Sequence, residues 1–286
     1  MTDQESPQEP GKPAVENAAP AAPRALASQW RNDWWRELII AAKYLTRIRV
    51  PLRGLPDQMQ IGGSMAWFPL IGALIGAFGA GIDGFAIAIL RLPVTVTSAL
   101  AVLGMMWLTR GLHEEELASL ANQYGDLGDK TRRVGWLKEE RSVRYGTIAM
   151  VFVILLRVGA ISSLNSIELV FATLIASSAW SHALMSIGAA WMKPLPHDPV
   201  SAHFGQPPLN RVLIALALGA AIVFAVMGSS GGLAILVSSA AAAIAIVIGN
   251  KLFGGYNGPM LGTLQQVAEI AMICALVAGQ SIDVGD

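Results

Sequence analysis

Polar side chains recur at helical spacing in a segment that separates two apolar stretches of the chain. They occupy positions i, i+4, i+7 and i+11, and they are Glu115, Ser119, Asn122 and Asp126. If residues 112–124 form a helix, all four lie on one face of it. Oxygen ligands on one face suit Mg²⁺, which proteins bind through one or two carboxylates together with substrate phosphates. The spacing predicts a magnesium site, and a solvated polar helix face is the alternative that the residues leave open.

Basic residues follow this stripe within the same charged segment, residues 110–145. The stretch from Lys138 to Tyr145 reads Lys-Glu-Glu-Arg-Ser-Val-Arg-Tyr and holds three cations. Cations beside a metal site can clamp a diphosphate. The general excess of Lys and Arg in cytoplasmic loops of membrane proteins accounts for the same residues equally well.

A third candidate region follows the glycine-rich run at residues 254–262, which we expect to be irregular rather than helical. Gln265, Gln266 and Glu269 then open the last apolar segment. A carboxylate inside such a segment usually faces the interior of a helical bundle and has a partner or a function. Arg157 and His182 also lie in apolar segments, and we expect them to be the candidate partners of Glu269.

Long apolar segments must position these groups, because 53% of the chain is hydrophobic and only 14% is charged. Each segment has about 17–25 residues, enough to cross ~30 Å of hydrocarbon as a helix. The predicted segments are 66–90, 92–109, 146–164, 168–191, 212–228, 233–249 and 263–280. The predicted fold class is therefore all-α, a polytopic membrane bundle of about seven transmembrane helices. Gly72 and Gly76 form a GxxxG pattern that favours close helix packing.

The distribution of positive charge predicts how the bundle is oriented. Of twenty Lys and Arg residues, all but Arg91 and Arg157 fall on one side of the predicted membrane. That side is expected to be cytoplasmic, with the amino terminus inside. Residues 1–29 are predicted to be a disordered tail, and residues 30–286 an integral membrane domain that begins with an amphipathic, Trp-rich helix. A net charge of zero argues against a nucleic-acid partner.

Several motifs together resemble the cobalamin synthase (adenosylcobinamide-GDP ribazoletransferase) family of integral membrane enzymes, over most of residues 38–280. Tyr44–Ile48 resembles the family's Phe-Leu-Thr-Arg-Leu, and Trp67–Gly72 resembles its Phe-Phe-Pro-Leu-Val-Gly. Further matches are Gly111-Leu112-His113, the segment with Lys138, Arg141, Tyr145 and Gly146, and the run Gly258–Ile270 with Gln265-Gln266 and Glu269.

The chain departs from the family pattern at acidic positions. Where the family's acidic motif has three Asp, this chain has Glu115, Ser119 and Asn122. Glu139 and Pro259 stand where the family has Asp.

The resemblance implies a phosphoryl transfer that uses adenosylcobinamide-GDP and α-ribazole, or its 5′-phosphate, and releases GMP. It implies Mg²⁺ as the cofactor, and the implied metal ligands are Glu115, Asn122, Asp126 and Glu139. The implied catalytic residues are Glu115 or Glu116 as the base, His113 as a rival base, and Lys138 and Arg141 as stabilisers of charge. The implied substrate-binding residues are Tyr145, Gly258, Gln265, Gln266 and Glu269.

Two other functions remain open at this point. A non-catalytic or repurposed member of the same family would act as a membrane scaffold for other enzymes of the corrinoid pathway. A transporter is disfavoured, because transporters place polar and discontinuous elements near the midplane of the membrane, whereas most charges of this chain lie on one face.

Overall fold

The computed structural model describes residues 34–52, 54–127, 135–196 and 198–283, without the side chains of 126–127, 135–144 and 281–283. The predicted tail at residues 1–29 lies outside the described residues. Throughout the described part the regular structure is helical. The α-helices are α1 (Trp34–Leu45), α2 (Gln58–Gly63), α3 (Phe68–Ala88), α4 (Val94–Thr109), α5 (Leu112–Leu127), α6 (Gly135–Ser162), α7 (Ile167–Trp191), α8 (Pro199–Phe204), α9 (Leu209–Met227), α10 (Gly231–Phe253) and α11 (Gly258–Asp283).

The helices confirm the predicted all-α membrane bundle. Within the described residues, five helical stretches are long and apolar enough to cross a membrane, or six if α4 and α5 form one bent crossing. One of the five, Leu209–Phe253, contains both α9 and α10. Gly219 of α9 and Ser239 of α10 both lie against Trp180 of α7, so the chain turns back on itself between α9 and α10. The predicted total of seven crossings and the cytoplasmic amino terminus stay predictions.

Helices α3 and α7 approach each other closely at two glycines of α3. A Cβ atom on Gly72 would lie 2.5 Å from the carbonyl oxygen of Ser178, and one on Gly76 would lie 2.2 Å from that of Leu174. Any side chain at these positions would push the two helices apart. The GxxxG pattern therefore has the packing role that the sequence predicted.

The chain turns by 87° between α4 and α5. Arg110 and Gly111 both have positive φ, at 63° and 66°, and this pair of left-handed residues ends α4 and redirects the backbone. The described part of the charged segment 110–145 is therefore almost entirely helical and is not a polar loop, because residues 112–127 and 135 onward form helices. The predicted helix at 112–124 is confirmed.

The predicted amphipathic helix is present as α1, Trp34–Leu45, and its buried residues include Glu37, Ile40 and Leu45. One further expectation needs correction. The run 254–262 is irregular only up to residue 257, since Gly258 begins α11. Gly262 lies within this helix, and its missing side chain leaves room for Glu116, because a Cβ there would lie 2.0 Å from Glu116 Oε2.

Candidate functional site

A buried ion-pair network joins α5, α6 and α11. Arg157 donates from Nη1 to Glu114 Oε1 at 2.9 Å and from Nη2 to Glu269 Oε1 at 3.1 Å. The three side chains are each at most 4% exposed. The predicted pairing of Glu269 with Arg157 is confirmed. Glu114, which the sequence analysis gave no role, is the second carboxylate of the network.

Two glutamine amides extend this network. Gln266 Nε2 donates to Glu114 Oε1 at 3.0 Å, and Gln265 Nε2 donates to Ser181 Oγ at 3.1 Å and to Glu269 Oε2. Both glutamines are 1% exposed. Their amide nitrogens are engaged inside the bundle, whereas their Oε1 atoms, like Glu114 Oε2 and Arg157 Nε, are buried without a partner among the described residues. The predicted contact of Gln265, Gln266 and Glu269 with substrate stays a prediction.

A pair of histidines lies beside the ion-pair network. His182, the other candidate partner of Glu269, instead contacts His113, with the two Nε2 atoms 3.2 Å apart. His182 Nδ1 is 2.7 Å from the carbonyl oxygen of Ser178, which can only accept a hydrogen bond. A neutral His182 therefore carries its proton on Nδ1 and accepts at Nε2, so His113 must donate from Nε2.

His113 also lies beside Glu116 of the same helix. His113 Nδ1 is 3.5 Å from Glu116 Oε2. Both atoms are buried, and within the described part of the chain neither makes a hydrogen bond.

Tyr44 of α1 contacts the other carboxylate oxygen of Glu116. Its hydroxyl lies 3.5 Å from Glu116 Oε1, to which it donates. Burial, and secondly the charge of Glu116, raise the pKa of Tyr44 well above its usual value, so the phenol remains a donor. The sequence contains no signal for this contact, because α1 and α5 are brought together only by the fold.

The predicted metal stripe is helical, but its described members have different surroundings. Glu115 is exposed. Ser119 Oγ accepts from Gln123, and Asn122 Oδ1 accepts from the backbone N–H of Gly146 at 2.5 Å. Among the described residues, no three His, Cys, Asp or Glu side chains come together as a metal site. The side chains of Asp126, Lys138, Glu139 and Arg141 lie outside the described part of the chain.

The two remaining predicted substrate-binding residues, Tyr145 and Gly258, lie in different parts of the bundle. Tyr145 is 51% exposed, and its ring lies against Gly125 near the end of α5. Gly258 is buried at the start of α11, where its N–H donates to Asp198 Oδ2 at 3.2 Å. Asp198 also caps α8 through the N–H of Ser201 at 2.8 Å. The Asp198-Pro199 pair is a sequence signal for a helix start, although not for this contact with Gly258.

A mostly apolar cleft of about 390 Å³ opens beside Tyr44, between α1, α2 and α8. Its walls include Ile61, Leu52, Val200 and Phe204, and Lys43 and His203 add polar groups. Because the Tyr44 hydroxyl contacts Glu116, Tyr44 separates this cleft from the buried pair of His113 and Glu116. The cleft was not predictable from the sequence, because it depends on segments far apart in the chain.

Sequence comparison with known proteins covers nearly the whole described bundle. The family model for cobalamin-5-phosphate synthase matches residues 37–277. An adenosylcobinamide-GDP ribazoletransferase of Azorhizobium caulinodans is 32% identical over 250 residues, which cover 83% of this chain and 93% of that protein. The same-named proteins of Sinorhizobium medicae and Leptothrix cholodnii are 28% and 29% identical, and cover 86% and 85% of this chain and 97% and 96% of their own lengths. No solved structure matches the chain.

Proposed function

The chain belongs to the cobalamin-5-phosphate synthase family, and from this premise we propose that it catalyses the adenosylcobinamide-GDP ribazoletransferase reaction. The observation that carries the proposal is the match over residues 37–277, which includes every described element of the candidate site. The family places the protein in cobalamin biosynthesis as a multi-pass membrane transferase. The exact reaction, its residues and the bacterial inner membrane as its location belong to the proposal.

The proposed reaction is a single phosphoryl transfer. A ribose hydroxyl of α-ribazole, or of its 5′-phosphate, attacks the phosphorus that carries the adenosylcobinamide group. The new P–O bond forms as the bond to GMP breaks, and the hydroxyl proton passes to a base. Such a transfer depends mainly on alignment of the nucleophile and on neutralisation of charge on the diphosphate.

Glu115 is the base that the geometry favours. Its side chain is exposed, whereas Glu116 and His113 are 7% and 2% exposed and lie beside each other in the interior. A carboxylate that is free of such a partner can accept a proton from a substrate hydroxyl. We assign to Glu116 and His113 the role of positioning the first turn of α5, although the sequence analysis also considered them as bases.

The ion-pair network supports the assignment of Glu115 as the base, because it fixes the helix that carries this residue. Glu114, the preceding residue, is held by Arg157 of α6 and by Gln266 of α11. Successive residues of a helix point about 100° apart, so anchoring Glu114 in the interior directs Glu115 away from it. The network thus positions the base without touching substrate.

We assign the apolar cleft beside Tyr44 to the aromatic base of α-ribazole. A flat bicyclic base is largely apolar, and the cleft provides aromatic and aliphatic walls of suitable size. Tyr44 itself packs against Phe68 and Phe204, with ring centroids at 6.0 Å and 4.7 Å, so the wall is rigid.

Mg²⁺ stays a proposal for this protein. The described members of the predicted ligand set do not form a site by themselves, since Asn122 Oδ1 is already bonded to Gly146. A site would have to rest on Asp126 and Glu139, because Glu115 is assigned as the base and a carboxylate bound to Mg²⁺ is not free to accept a proton. Lys138 and Arg141, in the first turns of α6, remain the proposed cations for the diphosphate.

The decisive experiment supplies the purified, detergent-solubilised protein with adenosylcobinamide-GDP, α-ribazole and Mg²⁺. We expect GMP and the joined corrinoid to appear in equal amounts. The relative from Azorhizobium caulinodans, assayed in parallel, is the positive control. If that control is active and this chain is not, the proposed reaction is wrong, and the alternative of a non-catalytic scaffold for other corrinoid enzymes takes its place.

A further inference from the structure

A pocket lined with cations lies where α1 meets the end of α4. It has a volume of about 590 Å³. The residues around it are Lys43, Thr46, Arg47, Ile48, Arg49, Val50 and Arg110. Four of the seven are basic and none is acidic. Within the described part of the chain, no carboxylate is paired with any of these four cations.

The backbone around this pocket is held in place by specific contacts. The N–H of Arg47 donates to the carbonyl of Leu108 at 2.8 Å, and Thr46 Oγ1 donates to the carbonyl of Ala42 at 2.6 Å. Arg110 has a left-handed backbone conformation, which is uncommon for a residue other than glycine. Its Nη2 reaches the carbonyl of Tyr44 at 3.4 Å. A general excess of positive charge on one side of a membrane would not by itself require these constraints.

An apolar groove begins directly beside the basic pocket. The guanidinium carbon of Arg47 lies 4.2 Å above the ring of Trp107, and Trp107 is also a wall of the groove. The groove runs between α3 and α4 and has a volume of about 850 Å³. Phe78, Phe85 and Leu103 line it and are each at least 41% exposed. Gly81 adds open space, since nothing lies within 4 Å of where its Cβ would be.

We propose that the basic pocket and the apolar groove together bind one anionic phospholipid, at a place distinct from the cleft assigned to α-ribazole, with which the pocket shares Lys43. The phosphate of the headgroup would contact Arg47, Arg49 and Arg110, and an acyl chain would lie along the groove. Each cation near an anionic lipid surface strengthens binding, and apolar side chains favour the acyl chain. A second copy of this chain fits less well, because an apolar helix in the groove would leave the four cations without a counter-charge.

Native mass spectrometry of the full, detergent-solubilised protein tests this proposal. The probes are phosphatidylglycerol and phosphatidylcholine with identical acyl chains. We expect preferential retention of one phosphatidylglycerol per chain. The double variant Arg47→Gln/Arg49→Gln should weaken retention of phosphatidylglycerol by about tenfold and abolish the preference over phosphatidylcholine. Lys251→Gln, which removes an exposed cation of α10 outside the pocket, should change neither.

A second variant tests the groove separately. Gly81→Leu fills the open space in α3 and should reduce retention of phosphatidylglycerol several-fold. Gly159→Leu is its matched control, because Gly159 is also a helical glycine with nothing within 4 Å of its Cβ position, but it lies in α6 and does not line the groove. Equal retention of the two lipids by the unchanged protein would overturn the proposal, and so would equal losses in Gly81→Leu and Gly159→Leu.

A soluble phosphate compound is the remaining candidate for the basic pocket. Excess pyrophosphate in the same experiment distinguishes the two sources of phosphate. We expect retained phosphatidylglycerol to be unaffected. Displacement of the lipid by pyrophosphate would overturn the proposal and assign the cations to a soluble substrate.

Discussion

Arg157 and Glu269 lie 112 residues apart in the sequence, and a 3.1 Å ion pair joins their side chains in the interior of the bundle. Glu114 binds the other end of the same guanidinium, so one arginine connects three helices. Charged groups far from water are tolerated only when they are paired and hydrogen-bonded. The network therefore fixes the position of α5, which carries the proposed base.

Removing the arginine should destabilise the protein strongly. Arg157→Met leaves two carboxylates buried without their counter-charge, which costs about 3–5 kcal/mol. We expect thermal unfolding in detergent to begin about 10 °C lower. Glu168→Gln, at an exposed position at the start of α7, is the control and should melt as the unchanged protein does. Equal melting temperatures for Arg157→Met and the control would show that the ion pairs contribute no net stability.

Two neighbouring glutamates should respond differently to the same substitution. Glu115→Gln should lower kcat at least ~100-fold with no change in thermal unfolding, because it removes an exposed base. Glu114→Gln should lower the unfolding temperature, because it removes a buried partner of Arg157. Steady-state GMP release and thermal unfolding measured on both variants separate the two effects. Near-normal turnover by Glu115→Gln would remove this residue from the mechanism.

The close approach of α3 to α7 predicts a position-dependent effect of adding one methyl group. Gly76→Ala would place a Cβ atom 2.2 Å from the backbone carbonyl oxygen of Leu174. The helices must separate, and we expect a loss of about 1–3 kcal/mol in unfolding free energy. Gly81 lies five residues further along α3, and a Cβ there would have no neighbouring atom within 4 Å. Gly81→Ala should therefore leave the unfolding free energy unchanged or raise it slightly. The same loss in both variants would contradict this account of the packing.

The cleft beside Tyr44 predicts a variant with a selective effect on one substrate. Leu52→Trp should fill the cleft and raise KM for α-ribazole about tenfold or more, while KM for adenosylcobinamide-GDP stays unchanged. Leu55→Trp is the matched control, because Leu55 lies three residues away, is 94% exposed and does not line the cleft. If KM for α-ribazole is the same in both variants, the base binds elsewhere.

The proposed magnesium site predicts a response to chelation. Treatment with EDTA should stop GMP release, and added Mg²⁺ should restore it. Asp126→Asn should raise the Mg²⁺ concentration needed for half-maximal activity, because it removes a carboxylate ligand from a site with few of them. Full activity in EDTA would exclude this metal site.

The parts of the site that follow from local pattern were predictable from the sequence. The helix at 112–124, the close approach at Gly76 and the pairing of Arg157 with Glu269 all follow from spacing or from the cost of burying charge. The burial of Glu114 was not predictable, because it depends on the turn at Arg110 and Gly111 that directs α5 into the bundle. Neither was the contact of Tyr44 with Glu116, since no local signal relates residues 72 positions apart.

The three-helix ion network also constrains how the protein is assembled in the cell. Synthesis proceeds from the amino terminus, so Glu114 is made 43 residues before Arg157, and Arg157 is made 112 residues before Glu269. Until α11 has been inserted, Arg157 is paired with Glu114 alone, and its Nη2 has no carboxylate acceptor. Insertion of α11 supplies that acceptor, so a chain that stops before residue 269 should be recognised as incomplete by membrane quality control.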